Sequence, residues 1–189
     1  MATRQVLFIQ GAGDIHAPDG SGVLASYLRD ALGDAAEVLV PDMTDAENPR
    51  YEAWSGQLRT ELAGLRDRPV LVGHSLGGSV LLRCLAERAY ERSIAGLFLV
   101  STPYWGPGGW DYAEFALPED FSAASLPPMS RVVLYHSHDD SEVPFEHLAR
   151  YAELLPDAEV RELPGDRHSF LDGLPELVED VTAVLRGDA

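Results

Sequence analysis

The chain contains no lysine. All 14 of its basic residues are arginine, set against 31 aspartates and glutamates in 189 residues. The resulting net charge of −17 repels polyanionic nucleic acid and anionic lipid surfaces, so neither is expected as a partner. The arginine-only usage reads as the genome composition of a GC-rich bacterium and carries no chemistry. A single cysteine, Cys84, excludes an intrachain disulfide framework, and its place on an apolar helical face marks it as core. No apolar run approaches the roughly 20 residues that span a bilayer. The opening MATRQVLFIQGAG holds only a short strand-like run broken by glycines, too short for a secretory signal. A cytoplasmic location is therefore expected.

What is present is an alternation of two hydrophobic periods. Residues 5–10, 37–40, 70–72, 94–100, 132–135 and 159–163 read as strands. Between them, apolar residues recur at helical spacing: Leu24, Leu28 and Leu32, then Tyr51, Trp54, Leu58 and Leu62, then Leu76, Val80, Leu81 and Leu85. Two further helices carry Leu148, Ala152 and Leu155, and Leu177, Val181 and Val184. Asn48-Pro49 reads as the start of the second helix, with asparagine as cap, and Pro175 opens the last. Strands apolar on both faces, separated by amphipathic helices, predict a six-stranded, mostly parallel sheet covered on both sides, in one domain over 1–189. Residues 102–130 break the rhythm, and segments that long without an element are usually functional or disordered.

The chemistry starts at residues 69–79, PVLVGHSLGGS. Ser75 stands where a buried strand meets a helix, at the carboxyl edge of the sheet where ligands bind. A sharp turn there pushes its hydroxyl toward a substrate, and Gly73 and Gly77 must be small to let strand and helix approach. The Leu76 N–H lies at a helix N-terminus, free to bind an oxyanion. A serine nucleophile needs a base and an orienting acid. His168 follows the sixth strand, in GDRHSF, and the adjacent Asp139 and Asp140 follow the fifth, in YHSHDDSEVP. The loop Gln10-Gly11-Ala12-Gly13 after the first strand is expected to give the second oxyanion donor, Ala12 N–H, with Gly11 as the alternative. Six of the 16 aromatics fall between Tyr104 and Phe121, which predicts a short aromatic cover over the site. Tyr104, Trp105 and Trp110 are assigned to the substrate pocket with Gly11 and His74.

GHSLG at 73–77, DDSEVP at 139–144 and GDRH at 165–168 together resemble the α/β-hydrolase superfamily. The likeness is strongest to its small serine hydrolases of the retinoblastoma-binding-protein type and the YdeN-like group. It implies a minimal α/β-hydrolase fold with strand order 2-1-3-4-5-6. It also implies hydrolysis of a small-molecule ester or related acyl bond, with no cofactor and no metal. In that pattern the acid stands four residues before the proline, which selects Asp140. The chain departs from it at Gln10, where many hydrolases carry a histidine.

Two rival readings remain. His136-Ser-His138-Asp-Asp140 also has the spacing of a metal cluster, so a metallohydrolase using His136, His138 and Asp140 is one. The other is a protein-binding module that keeps a hydrolase shell.

Overall fold

The computed structural model describes residues 4–165 and 167–187. Six strands, β1 (Arg4–Ile9), β2 (Ala36–Leu39), β3 (Val70–His74), β4 (Gly96–Val100), β5 (Val132–Ser137) and β6 (Glu159–Leu163), form one sheet in the order β2-β1-β3-β4-β5-β6. Every pairing is parallel. The helices are α1 (Gly22–Leu32), α2 (Tyr51–Gly64), α3 (Leu76–Ala86), α4 (Glu146–Leu154) and α5 (Pro175–Arg186).

The period-2 alternation along the central strands sorts the core into two layers. Leu7, Ile9, Leu71, Leu97, Leu99 and Leu134 point to one face, under α2, α3 and α4. Val6, Phe8, Val70, Val72, Phe98, Val100 and Val133 point to the other, under α1 and α5. Cys84 is fully buried in the first layer. Burial on both faces holds for β1, β3, β4 and most of β5, but not for the edges. β6 alternates between half-buried and exposed up to its buried last residue, Leu163, because one side of it has no neighbouring strand. Its Arg161 and the neighbouring Arg131 instead meet Asp180 of α5, which also accepts the Tyr135 hydroxyl at 2.6 Å. Among the described residues no helix is long and apolar enough to cross a membrane.

The start of α2 corrects the expected asparagine cap. Arg50 takes the extended conformation before the first turn, and the helix begins at Tyr51. Asn48 instead closes a turn, its N–H donating to Asp45 O at 2.9 Å. The free Tyr51 N–H is satisfied from elsewhere, by Glu114 Oε1 at 2.9 Å. Glu114 belongs to residues 102–130, which hold two short 3-10 turns, Ala113–Phe115 and Ala123–Ser125. This segment is thus pinned across the start of α2. A second tie joins it to α3, where Arg83 donates to the Glu114 carbonyl at 2.5 Å.

Candidate active site

β3 runs into α3 through one residue, Ser75, held at φ 52 and ψ −128. A serine in that region stores strain on the order of 1–3 kcal/mol, which the surroundings must enforce. Two neighbours do so. The Ser75 N–H donates to the Val100 carbonyl at 2.8 Å. The elbow is also packed too tightly for side chains: a Cβ on Gly73 would lie 2.5 Å from Gly78 Cα, and one on Gly77 would overlap the Ile9 and Gln10 carbonyls. The side chain of Ser75 lines a cavity of about 400 Å³ at the carboxyl ends of β1 and β3.

His168 reaches the same cavity from the loop before α5, and its Nδ1 lies 2.9 Å from Asp140 Oδ2. The other carboxylate oxygen, Oδ1, accepts the N–H groups of Glu142 at 2.9 Å and Val143 at 2.8 Å. Burial pushes the Asp140 carboxyl up, but the His168 bond and charge and the Val143 N–H outweigh it and hold it at about 2. The acid is therefore ionised and can only accept. His168 Nδ1 therefore carries a proton and donates it to the carboxylate. Among the described residues no hydrogen bond joins Ser75 Oγ to His168. Such bonds are often long in empty sites and tighten when substrate is bound.

Asp139, one residue earlier, turns elsewhere. It accepts Ser137 Oγ–H at 2.6 Å and the Arg167 N–H at 2.8 Å, so it fastens the His168 loop to the end of β5.

The elbow histidine is wired into both sides of the site. His74 is buried, with Nε2 2.8 Å from the His168 carbonyl and Nδ1 2.7 Å from Ser21 Oγ. Burial, and then the neighbouring His168, lower its pKa to about 3, so the ring is neutral. A carbonyl can only accept, which puts the proton on Nε2. Nδ1 must then accept from the Ser21 hydroxyl. Ser21 Oγ in turn accepts the Gly11 N–H at 2.8 Å. Gln10 braces the same loop: its amide donates to Gly13 O at 3.0 Å and its carbonyl accepts Met43 N–H at 3.2 Å. Gly13 N–H is engaged by the Ala46 carbonyl. Of the three amides in residues 11–13, only that of Ala12 has no partner among the described residues, and Ala12 lines the cavity.

The cavity brings together Gly11, Ala12, His74, Ser75, Leu76 and His168, and Trp105 and Trp110 also line it. Tyr104 is not part of it. That ring packs edge-on against Tyr151 at 5.6 Å, while the main-chain N–H of Tyr104 donates to His147 Nδ1 at 2.9 Å. Tyr112 and Phe115 take its place in the lining. His16 lines a separate hollow with Arg29 and Asp42.

His136 and His138 do not converge. His136 is buried and donates through Nε2 to the Val143 carbonyl at 2.9 Å. His138 is exposed, stacked on Phe145 at 3.9 Å and 3.2 Å from Glu162. Among the described residues no group of three His, Cys, Asp or Glu side chains is placed to hold a metal ion.

Ser21 and Glu142 are not legible as site residues in the sequence, whereas Gln10 is named there as part of the oxyanion loop and Asp139 as the neighbour of the acid. Ser21 lies in the glycine-rich segment GSG, which reads as a turn, and only its contact with His74, 53 positions away, reveals it. Asp139 and Glu142 stand inside the DDSEVP block itself, and their roles depend on side-chain direction.

The serine hydrolase family matches this chain over residues 24–174. Among solved structures, the ydeN gene product of B. subtilis superposes with a TM-score of 0.79 at 23% identity, covering 97% of this chain and 100% of that one. Mouse alpha/beta hydrolase domain-containing protein 10 gives 0.71 at 15% identity, over 100% of this chain and 92% of its own. A serine hydrolase involved in carbazole degradation, the CarC enzyme, gives 0.70 at 14%, over 97% and 91%. These likenesses establish an α/β-hydrolase fold. No match was found among curated proteins.

Proposed function

The chain belongs to the serine hydrolase family, and we propose that it is a carboxylesterase-like enzyme that cleaves small acyl esters through an acyl-enzyme on Ser75. The observation that carries this reading is the 2.9 Å contact between His168 Nδ1 and Asp140. It supports a tautomer with the proton on Nδ1, which leaves Nε2 to serve as base in the cavity that Ser75 also lines.

In the proposed reaction the Ser75 hydroxyl attacks the ester carbonyl carbon while His168 Nε2 takes its proton. The oxyanion that forms is bound by the N–H groups of Leu76 and Ala12. Collapse of the tetrahedral intermediate breaks the bond to the alcohol oxygen, which receives the proton back from His168. Water, activated by the same imidazole, then frees the acid and regenerates Ser75. Asp140 stabilises the imidazolium throughout and never takes the proton. No cofactor enters the balance. The aromatic segment is pinned to the start of α2 and to α3 by Glu114 and Arg83, and this short, fixed cover favours short acyl chains over long ones.

The test is labelling with a fluorophosphonate, followed by a panel of p-nitrophenyl esters of increasing chain length. Wild type should label and prefer short chains. Ser75→Ala should not label, and should lose up to ~10⁶ in turnover, as in comparable triads. Near-normal activity in Ser75→Ala would sink the proposal.

A further inference from the structure

Four aromatic residues, Trp105, Trp110, Tyr112 and Phe115, line the cavity with Ser75, and two of their three polar groups are engaged within the protein. Trp105 stands at the centre of this aromatic wall, with ring centroids 5.1 Å from Trp110, 6.2 Å from Tyr112 and 5.2 Å from Phe115. The Trp105 N–H is engaged by Ser79 Oγ at 2.8 Å, and the Tyr112 hydroxyl donates to Glu114 Oε2 at 2.9 Å. What this wall offers a ligand is mainly π surface, and Trp110 and Tyr112 remain exposed. Two carboxylates complete the lining, Asp19 beside the oxyanion loop and Glu142 beside His168. Glu142 Oε2 lies 3.8 Å from His168 Nε2. Among the described residues neither carboxylate pairs with an arginine, and no arginine lines the cavity. The other ring in the lining that could carry charge, His74, is neutral.

From this combination we infer that the site selects substrates bearing a positive charge close to the scissile bond, as in an ester of an amino alcohol or a quaternary ammonium alcohol. The reasoning is electrostatic. An aromatic face attracts a cation through its quadrupole, and most strongly when the cation is desolvated, as against a wall. A neutral aliphatic group would gain the same apolar contact with no charge interaction. An anionic group would meet two carboxylates that no arginine neutralises, and the chain's net charge of −17 draws cations and repels anions at longer range. An acid-bearing acyl chain is thus selected against by the same feature that favours an ammonium group.

The inference rests on the hydrolase reading, and one experiment separates the two. The rate at which a fluorophosphonate labels the full-length protein is measured in the presence of choline or of 3,3-dimethylbutan-1-ol. These two alcohols have nearly the same shape and differ by a quaternary nitrogen against a quaternary carbon. Choline should protect Ser75 at about tenfold lower concentration than its neutral isostere, the size of a moderately desolvated cation–π contact. The difference should shrink in 1 M salt, where the Debye length falls to about 3 Å. Asp19→Asn combined with Glu142→Gln should bring the two alcohols closer together. Equal protection, no protection by either, or better protection by the neutral alcohol overturns the inference while labelling upholds the hydrolase. Failure of the wild type to label at all overturns both.

Discussion

The imidazole of His74 donates its Nε2–H to the main-chain carbonyl of His168 at 2.8 Å. That bond ties the turn that holds the nucleophile to the loop that holds the base. On its other side the same ring accepts the Ser21 hydroxyl, and Ser21 fixes the Gly11 N–H. The three loops converging on the cavity therefore share one buried side chain.

His74→Ala should lower kcat more than it raises KM. It removes no proposed catalytic group, but it releases both the base loop and the oxyanion loop, and misplacement by about 1 Å can cost about 10²-fold. The buried Ser21 hydroxyl and His168 carbonyl also lose their partner, at about 1–3 kcal/mol each if water does not replace it. Steady-state kinetics on a short-chain ester, with urea unfolding of both proteins, check the two effects. An unchanged kcat in a folded variant would show that the network is structural only.

The same residue should make the fold sensitive to mild acid. Its folded-state pKa of about 3 lies below the roughly 6.5 of an exposed imidazole, chiefly because it is buried. The unfolded chain therefore takes up the proton first. The stability that the neutral ring contributes is complete above pH ~6.5 and is lost as pH falls toward 3. Linkage gives about 2 kcal/mol of loss between pH 7 and pH 5 from this residue. His136 and His147, also held below the ordinary histidine range by burial, act in the same direction. Asp140, held at about 2, contributes above the ordinary carboxylate range and loses its share only below pH ~4. Urea midpoints at pH 7 and pH 5 should differ less in His74→Asn than in wild type.

Glu114 should couple the substrate wall to the helix beneath it. Its carboxylate accepts the Tyr51 N–H at 2.9 Å and lies 3.3 Å from Arg50 Nε, so it serves as the cap that Asn48 does not provide. Glu114→Ala should cost about 1 kcal/mol, the usual value of a lost cap. Since Tyr112 and Phe115 flank it and line the cavity, KM for a short ester should rise as well. Thermal melts and KM measured together check this. A destabilised variant with unchanged KM would separate the cap from the wall.

What was legible in the sequence was whatever depends on near neighbours. The alternation of Val6, Leu7, Phe8 and Ile9 assigns each side chain to a face, and the two core layers follow it residue by residue. The elbow was legible because tight packing forces small residues at Gly73 and Gly77, two positions either side of Ser75. The helix cap was misread because its acceptor is 63 positions away, and no local pattern distinguishes Asn48 in a turn from Asn48 as a cap. The role of His74 was illegible for the same reason: its partners stand 53 and 94 positions distant. Tyr104 was assigned to the pocket by composition alone, which counts aromatics and cannot tell which way each ring faces. The half-exposed β6 reflects its place at the sheet edge, which depends on strand order and not on its own apolar content.

The adjacent carboxylates offer the sharpest test, because they are chemically identical and one residue apart. Asp140 Oδ2 meets His168 Nδ1 at 2.9 Å, whereas Asp139 Oδ1 meets the Arg167 N–H at 2.8 Å. The first contact is with a ring that must change charge during the proposed reaction, and the second with a peptide that does not. Asp140→Asn can keep the geometry but presents an amide that favours the wrong imidazole tautomer, and the loss in kcat should be on the order of 10⁴. Asp139→Asn retains one carbonyl oxygen to accept the Arg167 N–H. Its cost should stay within about tenfold, the effect of a loosened loop and not of a lost charge. Two variants on one short-chain ester at pH 8, each first shown to be folded by circular dichroism, decide the assignment. A crippled Asp139→Asn beside an active Asp140→Asn would transfer the orienting role to the neighbour. Two active variants would remove the acid from the proposed mechanism altogether, since no other carboxylate among the described residues lies within hydrogen-bond distance of His168 Nδ1.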